Sequence, residues 1–234
     1  MNIVVCLKQV PGTTQVKIDP ETNTLIRQGI ENIINPLDTY AIEEGVRLRE
    51  RFGGQVTAIS MGPPQAETAL REAISLGVDA GILLSDPAFA GADTWATSYT
   101  LSVAIRKLGQ YDLVICGRQT LDGDTGQVGP QLAEMLALPF IAYVSRIEEI
   151  ADGGMRVRRM VEDGYEIMES PLPAVLTVVK EINTPRLPSL RGIARSKSVV
   201  IPVWGVEEID IDPDQVGLSG SFTRVIKIFT PQRA

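Results

Sequence analysis

Histidine is absent from the whole chain. That removes the commonest general base and the commonest transition-metal ligand, so chemistry here belongs to a bound cofactor that the protein positions and tunes. Cysteine is scarce: Cys6 and Cys116 are the two present, both inside apolar runs and without CxxC spacing. Buried thiols of this kind suggest a reducing compartment and no metal site. No apolar run approaches the roughly 18–20 residues that cross a bilayer. The first residues, MNIVVCLKQVP, form a short apolar strand without a basic leader, so no secretory signal and a cytoplasmic location are expected. Any attachment to a membrane would be peripheral, through partner subunits. A broad basic face is lacking as well. The formal net charge is −7, which disfavours nucleic acid.

What is present is a chain of 234 residues, 44% of them hydrophobic, enough for one large α/β domain with a buried core. Asn2 to Leu7 reads as a central first strand. Val16–Ile18 and Thr24–Ile26 read as a hairpin around the turn DPETN. Asn35 is placed to cap a helix, with Pro36 at its first position and Asp38 at its third. On that helix Ala41, Gly45, Leu48 and Phe52 form one stripe beside Ile42 and Val46, and Glu43 with Arg47 makes an i,i+4 pair. Gln55–Met61 is the next strand, and Ala66, Ala69, Leu70, Ala73 and Ile74 the next helical stripe. Ala80–Leu84 follows as a strand. Asp93 then caps a helix bearing Leu101, Ala104, Ile105 and Leu108, which Gly109 ends. This alternation predicts a doubly wound, mainly parallel sheet with helices on both faces.

The stretch from Tyr111 to Pro139, YDLVICGRQTLDGDTGQVGPQLAEMLALP, carries the densest signal. The short run Leu113–Cys116 predicts a buried strand, and Leu132, Met135 and Leu136 predict a helix. Between them lie Gly117, Gly123, Gly126 and Gly129. A glycine-rich turn into a helix start offers bare N–H groups backed by the helix dipole, a phosphate-binding arrangement. The residues alone leave an ordinary βα turn equally open. The loop is neither GxGxxG nor GxxxxGK[ST], Asp122 and Asp124 oppose an unaided phosphate site, and Arg118 is the one local cation.

After Pro139 the pattern changes. Phe140–Glu149, Met155–Glu162, Tyr165–Glu169 and Ala174–Val179 alternate like an antiparallel meander, with ADGG as a hairpin turn. The segment from Asn183 to Ser198 is basic. The tail is acidic over Glu207–Asp214, loose at GLSGS and apolar at Val225–Phe229.

The run GRQTLDGDTGQVGPQLAE closely resembles the signature loop of the electron transfer flavoprotein β subunit family. CLKQVP, NPLDTYAIEEGVRLRE, AISMGP, LPAVLTV and NTPRLPSLRGIARSK occur in that family's order, so the resemblance covers nearly the whole chain. It implies the adenine nucleotide alpha hydrolase-like sheet. It also implies one nucleotide-binding domain over 1–205, with an antiparallel extension at about 140–180, a recognition loop at about 183–198, and a C-terminal arm, 206–234, docking on an α subunit. It further implies that Gly117, Arg118, Gln119, Asp122, Gly123, Asp124, Thr125, Gly126, Gln127 and Val128 hold the adenosine and phosphates of AMP or FAD. The aspartates would then accept from hydroxyl or amine groups. Cys6, Asn35, Pro36, Leu37, Asp38 and Met61 align with further nucleotide contacts. On the residues alone, Cys6 and Met61 could be plain core and Asn35 a helix cap. Leu190 aligns with the anchor on a partner FAD-containing dehydrogenase, with Arg186 and Arg191 steering an acidic partner. Its competing reading is a core leucine beside a solvated basic helix face.

The family divides in two. Conventional members keep AMP here and tend towards DDD-x-NQTG, whereas this loop reads DGDTGQVGP and resembles the electron-bifurcating group. That likeness implies FAD in this chain, hydride from NADH, and electrons divided between the α-subunit flavin route and a low-potential acceptor such as ferredoxin or flavodoxin. The alternatives are a conventional carrier with structural AMP and a non-redox adenine nucleotide-binding module.

Overall fold

In the first strand, β1 (Asn2–Cys6), successive side chains alternate between two cores. Ile3, Val5 and, just beyond, Leu7 enter one core, while Val4 and Cys6 enter the other. That alternation follows from the pleat and sets the layers of the molecule. The computed structural model describes residues 1–12 and 32–226, together with the backbone of Lys17–Ile18 and Leu25–Ile26.

The remaining strands are β2 (Gln9–Pro11), β3 (Lys17–Ile18), β4 (Leu25–Ile26), β5 (Asn32–Ile34), β6 (Gln55–Met61), β7 (Ala80–Leu84), β8 (Leu113–Gly117), β9 (Phe140–Ala151), β10 (Gly154–Val161), β11 (Gly164–Pro171), β12 (Ala174–Val178) and β13 (Val203–Trp204). The helices are α1 (Pro36–Phe52), α2 (Glu67–Ser75), α3 (Thr94–Leu108), α4 (Val128–Leu136), α5 (Leu190–Ser198) and α6 (Val206–Ile209). A nine-stranded sheet runs in the order β11-β10-β9-β12-β8-β1-β6-β7-β13. Its neighbours are parallel except at β9–β10 and β10–β11. The apolar stripes of α1 and α2 cover one face, and those of α3 and α4 the other, with Leu70, Ile74, Ile105 and Leu132 fully buried. The doubly wound α/β fold is therefore as the alternation predicts.

Strand β12 departs from the expected meander. It lies between β8 and β9 and runs parallel to both. All five of its residues are buried, and strands covered on both faces read as continuous apolar runs rather than alternating ones. Only β9, β10 and β11 form the meander, and they extend the main sheet. The hairpin expected near residue 20 is present as the pair Lys17↔Ile26 and Ile18↔Leu25, while its turn lies outside the described residues.

The Glu43–Arg47 pair is replaced by one long-range pair and one within the helix. Glu43 is buried and receives Arg186 at 2.8 Å, and Arg47 lies 3.7 Å from Glu44. A side chain buried on a helix's inner face must find its counter-ion from another element. The segment GLSGS is not loose either. Leu218 donates to the Ala90 carbonyl at 3.0 Å, Gly220 to Val216 at 2.9 Å, and Ser221 Oγ to the Gly217 carbonyl at 2.6 Å. Ile209, Ile211 and Val216 are buried in the second core. Beyond Ser221 the chain turns outward, with Phe222, Val225 and Ile226 exposed. The apolar run expected over Val225–Phe229 is described only as far as Ile226.

Candidate functional site

Strands β1 and β8 are neighbours, yet the helices that follow them leave on opposite faces: α1 on the first core, α4 on the second. A crevice therefore opens at their carboxyl ends. This is the topological switch point where open parallel sheets bind ligands. The sequence-predicted residues converge there from three segments: the β1 end, the α1 start and the loop after β8.

The α1 start works as a bracket. Asn35 is fully buried, and its amide does not cap the helix. It reaches across the crevice instead. Asn35 Nδ2 donates to the Gln119 carbonyl at 2.9 Å, and Asn35 Oδ1 accepts from Leu121 N at 3.2 Å. The helix start is served by the Asn35 carbonyl instead, which accepts from Asp38 N at 2.8 Å. One turn on, Asp38 accepts from the Lys8 amide at 2.8 Å and also bonds the Gly117 amide and the Asn35 side chain. Gly117 has to be glycine. A Cβ there would stand 2.3 Å from Asp38 Oδ1 and 2.8 Å from the Leu37 carbonyl carbon.

Burial dominates the electrostatics of Asp38 and pushes its carboxyl up to about 7, against the opposing pull of its hydrogen bonds and the Lys8 ammonium. Cys6 and Cys116 are register partners facing the second core. Their hydrogen bond, together with burial, holds the Cys116 thiol well above its ordinary pKa. Both are free thiols.

The loop is braced from within by its own aspartates. Asp124 lies in the left-handed region (φ 52°), donates from its amide to the Thr120 carbonyl at 2.9 Å, and accepts from the Gln119 side chain. Asp122 accepts from the Lys8 ammonium at 2.6 Å. Burial opposes ionisation of Asp122, but Lys8 wins and holds its carboxyl below the usual range. Arg118 donates its amide to Val178 at 3.1 Å and leaves its side chain exposed. Gln127 precedes α4 and is held by Thr94 Oγ1 at 3.0 Å. Gly126 turns the chain with a positive φ of 61°. The amides of Thr125, Gly126, Gln127, Val128 and Gly129 donate to no backbone carbonyl among the described residues. A row of free amides at the start of a nine-residue helix can bind an anionic oxygen cluster.

Met61 lies at the same rim, at the end of β6, two residues past the partner of Cys6. Lys8 is the residue that sequence reasoning missed. The available signal was a cation placed directly after a strand that ends at the rim.

The basic segment divides. Leu190 opens α5 and is 88% exposed, as is Leu187, and Arg191 is exposed beside it. The core-leucine reading therefore falls away. Arg186 turns inward onto Glu43 and onto Glu50, with Nη1 2.6 Å from Glu50 Oε1. Helix α5 is firmly mounted: Arg195 bonds the Val78 carbonyl at 2.8 Å, and Arg71 bonds the Ser196 carbonyl at 2.5 Å.

The fold and its rim define a doubly wound α/β protein with the kind of crevice that takes nucleotides. The electron transfer flavoprotein domain family matches residues 22–209. The chain is 52% identical to the electron transfer flavoprotein subunit beta of Thermoanaerobacterium thermosaccharolyticum, across 99% of this chain and 88% of that one. It is 48% identical to subunit CarD of the caffeyl-CoA reductase-Etf complex of Acetobacterium woodii, across 99% and 88%. Protein FixA of Azotobacter vinelandii is 45% identical, across 99% and 85%. The chain belongs to the electron transfer flavoprotein family, as a β-type subunit of a heterodimer. Among the described residues no helix is long and apolar enough to cross a membrane.

Proposed function

We propose that this β-type subunit holds FAD at the β1–β8 switch point and receives reducing equivalents from NADH. The observation that carries this reading is the set of amides over 125–129 that donate to no backbone carbonyl among the described residues, at the rim where the Asn35 and Asp38 bracket ties α1 to the loop and the strand ends. The residues fit the group. The amides match a diphosphate, and a Cβ at Gly123 would meet only Thr120 Oγ1 at 3.4 Å, so the loop leaves room on its outer side. Bound FAD would supply hydride acceptance from NADH and its division into single electrons, one towards the α-subunit flavin and one towards a low-potential acceptor of the ferredoxin or flavodoxin class.

The chain's own part is to grip, orient and shield. Asn35 and Asp38 fix the two strand ends and the loop, Gly117 lets α1 approach, and Cys6 and Met61 give the crevice an apolar wall. No side chain is assigned as acid or base, in keeping with the absence of histidine. Exposed Leu190, flanked by Arg191, is an apolar anchor with a steering charge for an FAD-containing dehydrogenase. CarD's place in a caffeyl-CoA reductase complex supports a partner of that kind. The C-terminal arm, 206–234, is assigned to docking on the α subunit, and Phe222, Val225 and Ile226 are exposed on it. The NADH-dependent, bifurcating branch rests on DGDTGQVGP, the AMP branch being the conventional carrier.

Purifying the heterodimer and identifying its nucleotides after denaturation tests this. The expected result is two FAD per heterodimer, both bleached by NADH. One FAD with one AMP removes the bifurcating branch and leaves the conventional carrier.

A further inference from the structure

The ammonium of Lys8 lies 2.6 Å from Asp122 Oδ2, with the two side chains 46% and 33% exposed. An ion pair this open to water contributes little as a structural fastening. The backbone of Lys8, in contrast, is held at both ends. Its N–H donates to Asp38 Oδ2 at 2.8 Å, and its carbonyl accepts from Asn35 N at 2.8 Å. The root of this side chain is fixed while its charged tip can exchange partners.

That tip stands at the loop whose amides over 125–129 lack backbone acceptors among the described residues. The surroundings are acidic. Asp122 and Asp124 lie in the loop, and the chain as a whole carries −7. A phosphate entering here adds negative charge to a negative neighbourhood, and neutral amides alone do not offset that. Arg118 bonds through its backbone and turns its side chain outward. Lys8 is the cation already directed at the loop.

We propose that Lys8 is the phosphate-selecting cation of this site. The phosphate of a bound adenine nucleotide draws its ammonium away from Asp122, and Asp122 is the competitor that sets the affinity. The exchange trades a singly charged carboxylate for a more highly charged group, and leaves Asp122 a carboxylate already one-third in water. The inference rests on the nucleotide-site reading and adds which residue reads the phosphate, and against what internal rival.

The two partners should then respond in opposite directions. In the full chain with its α subunit, freed of bound nucleotide and titrated with AMP, Lys8→Met should weaken binding about tenfold or more. Lys8→Arg should recover most of the loss because it restores the charge, and the denaturant midpoint of nucleotide-free Lys8→Met should match that of the unmodified complex, which separates lost charge from lost fold. Asp122→Asn should tighten binding about threefold or more, because it releases Lys8 from its rival. If Lys8→Met and Asp122→Asn weaken AMP by similar factors, the pair is a loop fastening and the inference is overturned. If the unmodified complex binds neither AMP nor FAD in this subunit, it is the nucleotide-site reading that has failed.

Discussion

A Gly117→Ala variant is expected to lose about 3 kcal/mol of folding stability, together with most of its bound nucleotide. The added methyl would sit 2.3 Å from Asp38 Oδ1 and within 2.9 Å of the Leu37 carbonyl. Neither neighbour can yield cheaply. The Leu37 carbonyl is backbone in the first turn of α1, and Asp38 is pinned by the Lys8 amide and buried. Relief requires α1 to move off the end of β8, which carries Asn35 away from Gln119 and Leu121. Gly123→Ala is the matched control. Its Cβ would meet only Thr120 Oγ1, at 3.4 Å, and its cost should stay within about 0.5 kcal/mol. Chemical denaturation of both variants, with nucleotide content measured on the same samples, checks the pair. Equal costs would mean that the loop, rather than the α1–β8 contact, is the tight point.

The second large effect depends on pH. Asp38 carries a carboxyl raised to about 7 in the folded chain, chiefly by burial, against an ordinary value near 4 in the unfolded one. Between those values the unfolded state has released this proton and the folded state still holds it. Stability from this group is therefore fully present below about pH 4 and is lost as pH rises through about 7. Other carboxylates act in the opposite sense, Asp122 and Glu50 among them, being held below their usual range. The group is thus isolated by difference. From pH 5 to pH 8, Asp38→Asn should gain about 2–4 kcal/mol relative to the unmodified protein, as measured by denaturant unfolding. Parallel stability curves for the two proteins would show that Asp38 is ionised throughout, with its hydrogen bonds outweighing burial.

These two residues also mark how far the sequence could be read. Periodicity is a local property, and it located the strands around Val4, Ile59, Ile82 and Val114 and the stripes through Leu70 and Leu101. Glycine spacing and the strand–loop–helix order located the loop. What stayed hidden is long-range. Asn35 is well suited to cap α1, and nothing within a few positions of it shows that its amide serves Gln119 instead, 84 residues away. Glu43 has an arginine four residues on, yet its partner Arg186 is 143 residues distant. Strand β12 alternates weakly because both faces are covered, so its direction follows from its neighbours rather than from its own residues. Lys8 reads as an ordinary end-of-strand lysine until the loop folds over and sets Asp122 beside it. The basic segment around Leu190 was easier to read, since a leucine amid arginines is conspicuous. The assignment of Arg186 inward and of Leu190 outward required the packing of α5 on α2.

The central claim is that the amides following Asp124 hold the phosphates of an adenine nucleotide at the carboxyl ends of β1 and β8. Hydrogen exchange of the heterodimer, followed residue by residue with and without that nucleotide, tests it most directly. The account predicts strong added protection at Thr125 to Gly129, weaker protection at Gln119 and Leu121, and little change in β10 and β11. Protection that leaves Thr125 to Gly129 unchanged while appearing elsewhere on the chain would contradict it.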